Sequence, residues 1–173
     1  MNSATPTATK LVLLATLAVT VTALALFLTG AGGKINPGYA APFLWLLSAL
    51  FLVRVVGQLL VRLRRPAWLP PTEEWNLSPY HLLLPTQIGI LALVAWVNVS
   101  FSLGHGLPVH PRPRLGEGAL VFAAIYAGAM VVRYAVSMGR RPEARWFGGT
   151  IPIVFHWVLA AYLVVFGAFD ASY

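Results

Sequence analysis

Two arginines, two glutamines and a histidine occupy stretches that are otherwise apolar: Arg54 and Gln58 in "LFLVRVVGQLLVRLRR", Gln87 in "LLLPTQIGILALV", Arg133 in "AMVVRYAVS" and His156 in "IPIVFHWVLA". Arginine presents a planar fork of N–H donors that matches carboxylate and phosphate geometry. Glutamine adds neutral donors and acceptors, and histidine can bind, or transfer, a proton. The chemistry this set suits is anion recognition. All five acids, Glu73, Glu74, Glu117, Glu143 and Asp170, lie in connecting segments or at the ends of apolar runs. Two cations without an acid at their own depth call for an anion from outside: a lipid phosphate or diphosphate, a carboxylate on another subunit, or bulk anions in a wet cavity. The structural alternative is that Arg54 and Arg133 bond carbonyls opened near Pro85 or Pro152, or snorkel through thinned bilayer. For His156 the corresponding alternative is a core histidine bonded to a nearby carbonyl or to Gln87.

The elements that must position these residues are transmembrane helices. Hydrophobic residues make up 58% of the 173 and charged residues only 10%, whereas soluble domains are about 25% charged. A hydrocarbon layer of about 30 Å needs roughly 20 apolar residues per helix. Five runs qualify, at 11–29, 42–63, 79–101, 115–138 and 149–169, and they predict an all-α polytopic bundle forming one integral membrane domain. Ser78 ahead of Pro79 reads as an N-cap with proline at the first helical position, and Thr150 ahead of Pro152 reads similarly. The connections, such as "GAGGKINPGYAAP" and "SLGHGLPVHPRPRLG", are rich in Gly and Pro. "PVHPRPR" reads as a stiff connector. The first run is longer than a signal-peptide core and lacks an A-x-A site, so an uncleaved span is expected. Threonines are its only polar residues, which predicts a peripheral place in the bundle.

Basic residues orient the chain. Lys10, Arg62, Arg64, Arg65, Arg140, Arg141 and Arg145 flank one side, against Lys34, Arg112 and Arg114 on the other. The positive-inside rule then predicts a cytoplasmic N-terminus, in the plasma membrane, or the inner membrane of a bacterium. The net charge of +7 reads as topology and contact with anionic headgroups, not as nucleic-acid binding.

Helical geometry locates the polar residues in depth. Arg54 is ten residues from Arg64, about 15 Å along a helix, and a charge there costs about 2.5–3.5 kcal/mol on insertion scales. Gln58 and Arg62 follow it on one stripe. Tyr126, Met130, Arg133 and Ser137 share a face of the fourth span. Tyr80, Gln87 and Asn98 share one on the third. His156 shares a face with Gly149, Ala160 and Gly167. Alternating directions put Arg54, Gln58, Gln87, Arg133 and His156 in the cytoplasmic half.

Other chemistries find fewer residues. Cysteine is absent, which excludes thiolate sites and disulfides. Bis-histidine haem would need a partner at the depth of His156, but His81 lies roughly 10 Å shallower. His105 and His110 are spaced by five residues around Pro108, without a nearby carboxylate or thiolate to complete a metal site. No cofactor or metal is therefore expected. G-x-S-x-G and P-loop motifs are absent. Trp68, Trp75, Tyr80 and Trp146 in the second and fourth connections suit interfacial anchoring, or a lid over a headgroup entrance. The sequence favours a non-catalytic membrane protein that binds an anionic amphiphile or serves as a subunit of a membrane assembly. The competing class is an enzyme or carrier acting on a lipid-linked phosphate or quinone-like molecule, with His156 as base or nucleophile.

Overall fold

The computed structural model describes residues 7–64, 69, 80–140 and 150–173, with the backbone alone at 80–84. Five helices account for nearly all of it: α1 (Thr7–Gly30), α2 (Pro37–Arg64), α3 (Tyr80–Leu103), α4 (Pro113–Arg140) and α5 (Ile151–Ala171), with a short 3-10 turn at Leu107–Val109 before α4. All five are long and apolar enough to cross a membrane, and there is no strand among the described residues. The chain is a multi-pass, all-α membrane protein.

The helices start and stop by local chemistry. Asn36 caps α2, its Oδ1 accepting from Gly38 N at 2.8 Å, and Pro37 opens the helix, where its missing N–H costs nothing. The helix therefore begins five residues before the apolar run, and Pro42 lies inside its first turns. Thr150 holds the cap position of α5 with Pro152 in the first turn, but its side chain makes no cap bond. Ser78 and Pro79 lie outside the described residues, as do Trp68, Trp75 and Trp146. The connector before α4 turns at Gly104 and Gly106, with φ of 70° and 104°, a region that glycine enters without a Cβ clash. His110 Nδ1 closes it onto Gly106 O at 2.8 Å.

Packing follows a 3.5-residue repeat. The buried residues of α1 are Thr9, Leu13, Thr16, Thr20, Ala23 and Phe27, alternating steps of four and three. On α2 the same steps run through Ala40, Leu44, Leu47, Phe51, Arg54, Gln58 and Val61. Such a stripe keeps one seam against its neighbours along the whole span. Arg54 and Gln58 thus occupy positions that packing reserves for core residues.

Helix α5 is the centre, with Ile151, Phe155, Val158, Ala161, Val165 and Phe169 among its many buried residues. Helices α1, α2, α3 and α4 surround it in chain order. The α2–α3 seam is closed. Trp45 Nε1 donates to Ser102 Oγ at 2.9 Å, Asn98 Nδ2 to Ser48 Oγ at 2.8 Å and Gln87 Nε2 to Gln58 Oε1 at 2.7 Å, one antiparallel register from end to end. Helix α4 packs on α5 alone to any extent. At its N-terminus Gly116 meets Gly167, where an added Cβ would lie 2.6 Å from the Gly167 carbonyl oxygen and 2.8 Å from Asp170 C.

The first span is not the outermost. It packs on α5 and α2 through its threonine face, because a threonine hydroxyl within a helix can return to its own backbone, as Thr20 Oγ1 does to Thr16 O at 2.7 Å. The outermost helix is α4, whose only buried residues are Gly116 and Ala123. Outward faces carry Leu11, Leu14, Leu52, Val53, Leu93, Val121, Ile125 and Val132, as a helix surface in lipid requires.

Candidate functional site

Among the described residues, two polar groups at the α2–α3–α5 seams differ in how completely they are satisfied. Toward the end where α2 begins, Asn98 is fully buried. Its Nδ2 donates to Ser48 Oγ, and its Oδ1 accepts from Tyr162 O–H at 3.0 Å. Tyr162 also reaches Val94 O at 3.5 Å. This group ties α2, α3 and α5 together with its donors and acceptors matched, the signature of a structural network. The sequence places Asn98 on a face with Gln87 but gives no sign of this role, which depends on which helices neighbour α3.

The second group lies in the half where α1, α3 and α5 begin, which we call the basic end after Lys10, Arg62, Arg64 and Arg140 nearby. Arg54 is 7% exposed, and its Nε is buried with no hydrogen-bond partner. One turn along, Gln58 is 4% exposed and accepts from Gln87, yet its own Nε2 is also buried without a partner. Across α5, the rings of Tyr126 and His156 are 5.5 Å apart. The Arg54 charge acts on Tyr126, His156 and Arg133. His156 is half-buried and its Nδ1 bonds the Pro152 carbonyl. That carbonyl can only accept, so Nδ1 carries the proton.

The sequence-predicted residues are therefore brought together unequally. Gln58 and Gln87 touch, Arg54 and His156 flank the same level, and Arg133 is close enough to repel Arg54. Arg133 itself is exposed, about 10 Å along α4 from Tyr126, on the flank of the face that packs against α5. Tyr126 belongs to the cluster, whereas helical spacing alone makes it a face-mate of Arg133. Of the described acids, Asp170 is the buried one, at 1% exposure. It stands fourteen residues along α5 from His156, roughly 20 Å away. There its Oδ1 accepts from Arg112 N at 3.2 Å, at the positive end of the α4 dipole, and its Oδ2 is buried without a partner. It cannot neutralise Arg54.

Among the described residues, clefts open between the helices around α5. One of about 490 Å³ lies between α1 and α2, lined by Thr9, Leu13, Leu52, Arg54, Leu60 and Phe155 among others. Thr9 Oγ1 is buried there without a partner. Another, of about 560 Å³, lies between α3 and α4 and is lined by Ile90, Leu93, Arg112, Phe122, Tyr126 and Leu163 among others. A smaller one of about 230 Å³ lies between α1 and α4, lined by Leu13, Tyr134, Thr150, Ile153 and Trp157 among others. The arrangement offers one thing chemically: buried, unsatisfied cationic and neutral donors beside apolar clefts. No family model, no curated protein and no solved structure matches this chain.

Proposed function

We propose that the chain is a non-catalytic membrane protein that binds an anionic amphiphile, with the anionic group at Arg54 and the apolar tail in the α1–α2 cleft. The observation that carries this reading is the buried, unpartnered Nε of Arg54 on the wall of an otherwise apolar cleft. An unsatisfied buried donor costs about 1–3 kcal/mol, and more when it is charged. A phosphate oxygen accepts such donors strongly. Gln58 Nε2 one turn below and Thr9 Oγ1 in the same cleft add neutral donors, and Arg133 raises the local positive potential. A cleft of about 490 Å³ falls in the range of small-molecule sites, about 300–1,000 Å³. Its residues from Ala49 to Leu60 span roughly 16 Å of helix, enough for a substantial part of an acyl chain. The basic end faces the cytoplasm in this reading, so that amphiphile enters from the inner leaflet.

Thermal unfolding in detergent tests it. Added phosphatidylglycerol should raise the midpoint of the wild type, by the equivalent of about 2.7 kcal/mol at a hundredfold excess over Kd. Phosphatidylcholine should not, and Arg54→Leu should respond to neither. Equal responses of wild type and variant to phosphatidylglycerol would refute the site.

A second reading is favoured by α4. Its exposed Arg133 and nearly uncovered surface suit a partner subunit that brings a carboxylate into the bilayer. Arg133→Leu would then abolish a larger assembly on a native gel while leaving lipid content unchanged.

A further inference from the structure

Four buried side-chain polar atoms lack a hydrogen-bond partner among the described residues, and three of them, Arg54 Nε, Gln58 Nε2 and Thr9 Oγ1, stand in the basic half of the bundle. Each is left over for a local reason. Thr9 lies in the first turn of α1, so no helical carbonyl stands four residues before it to take its hydroxyl, as Thr16 O takes that of Thr20. Gln58 uses its side-chain oxygen on Gln87 and retains an unpaired amide nitrogen. Arg54 occupies a core position of α2 with no described carboxylate at its depth.

The α1–α2 register brings these donors to similar depth. Tyr39 O–H donates to Phe27 O at 3.0 Å, and the two rings stack with centroids 5.6 Å apart. The helices run antiparallel from there, so Thr9 stands near the level of Gly57, roughly 4.5 Å along the axis from Arg54. Thr9, Arg54 and Gly57 all line the α1–α2 cleft, and Gln58 lies one turn along α2 from Arg54. Toward the basic end the cleft continues over Val56, Leu60, Leu69 and Ile151, and toward mid-bilayer over Leu13, Ala49, Leu52 and Phe155. Among the described residues its walls add no further polar side chain. An anion at Arg54 thus has three donors within about one turn of helix and apolar walls on either side.

We propose that the ligand at Arg54 is a phosphate monoester on an apolar chain, its phosphate terminal and unsubstituted, and that phosphodiester lipids are weaker occupants of the same site. The assignment rests on the reading of Arg54 as an anion site. Charge and oxygen count select the monoester. Near neutral pH it carries about −1.5 to −2 charges on three strong acceptor oxygens. Facing it are three unsatisfied donors, the Arg54 charge and the Arg133 charge that acts on it. A carboxylate offers two oxygens and a single charge. A diester also offers a single charge, and with its tails toward mid-bilayer the alcohol on its far side would lie against Val56, Leu60 and Ile151. Hydroxyls there find no partner and bear the full cost of leaving water.

The test is competition on the purified full chain in nonionic detergent. Phosphatidylglycerol is bound first and read by native mass spectrometry, and hexadecyl phosphate, palmitate or phosphatidic acid is then titrated in. Hexadecyl phosphate should bind wild type about tenfold or more tighter than phosphatidylglycerol, and palmitate should compete less well than hexadecyl phosphate. Thr9→Val, which keeps the shape of the side chain and removes one donor, should narrow the gap several-fold, and Thr9→Ser should restore it. Phosphatidic acid carries the same anion on two chains. Displacement by both monoesters supports the assignment with a diacyl source, and displacement by hexadecyl phosphate alone supports it with a single-chain source. Hexadecyl phosphate no tighter than phosphatidylglycerol, or palmitate that competes equally well, would overturn the monoester and leave the anion site standing. Binding unchanged in Arg54→Leu, or no binding of any probe, would remove the site and the assignment together.

Discussion

Asn98 and Arg54 are both buried polar residues on core stripes, and the difference between them separates structure from function at the residue scale. Asn98 finds Ser48 and Tyr162, so removing it leaves two partners unpaired. Asn98→Leu should destabilise the fold by about 1–3 kcal/mol and leave lipid binding intact, as read by unfolding midpoints and bound-lipid mass. Arg54 is the reverse case. Replacing an uncompensated buried charge by an apolar group is stabilising in the absence of a ligand, so Arg54→Leu should unfold at a higher temperature than wild type once lipid is stripped away. A lower midpoint would mean that Arg54 serves the fold. Arg54 and Gln58 are legible in the sequence because a charge and an amide interrupt an apolar run. Asp170 is not legible in the same way. It reads as a residue at a span end, and its burial arises because the start of α4 docks over it, a contact no local pattern encodes.

At the element scale, the number and approximate centres of the five helices follow from apolar run length; the structure lengthens α1, α2 and α4 at both ends and shifts α5 two residues toward the C-terminus. The Asn36–Pro37 start of α2 is an instance: it stands in a stretch that composition alone reads as loop. Which helix is outermost was not legible. Threonine content suggests α1, but self-bonded hydroxyls pack well, and α4 takes the outer place because it packs on α5 alone to any extent, most closely where Gly116 meets Gly167. That contact admits no side chain at Gly116, so Gly116→Val should detach the start of α4 and uncover Asp170. Hydrogen exchange at residues 113–120 should rise sharply in the variant while α2 and α3 stay protected. Unchanged protection would show that the approach of the two glycines is not what holds α4.

For the whole molecule, four helices wrap a fifth and leave clefts beside it between neighbours on the ring, at α1–α2, α3–α4 and α1–α4. The sequence supplied the members of the ring without their order, which depends on side-chain fit between segments far apart in the chain. The charge asymmetry predicts the basic end in the cytoplasm. The absence of cysteine makes this testable without background: in intact cells, an impermeant thiol reagent should label Arg114→Cys and spare Arg140→Cys, and the opposite pattern would invert the topology. The central claim is that Arg54 holds an anionic amphiphile. Native mass spectrometry of the gently solubilised wild type beside Arg54→Leu tests it most directly. The account predicts a discrete bound mass, phosphorus-containing on fragmentation, on the wild type and absent from the variant, with both proteins folded. A ligand-free wild type, or the same bound mass on both proteins, would contradict it.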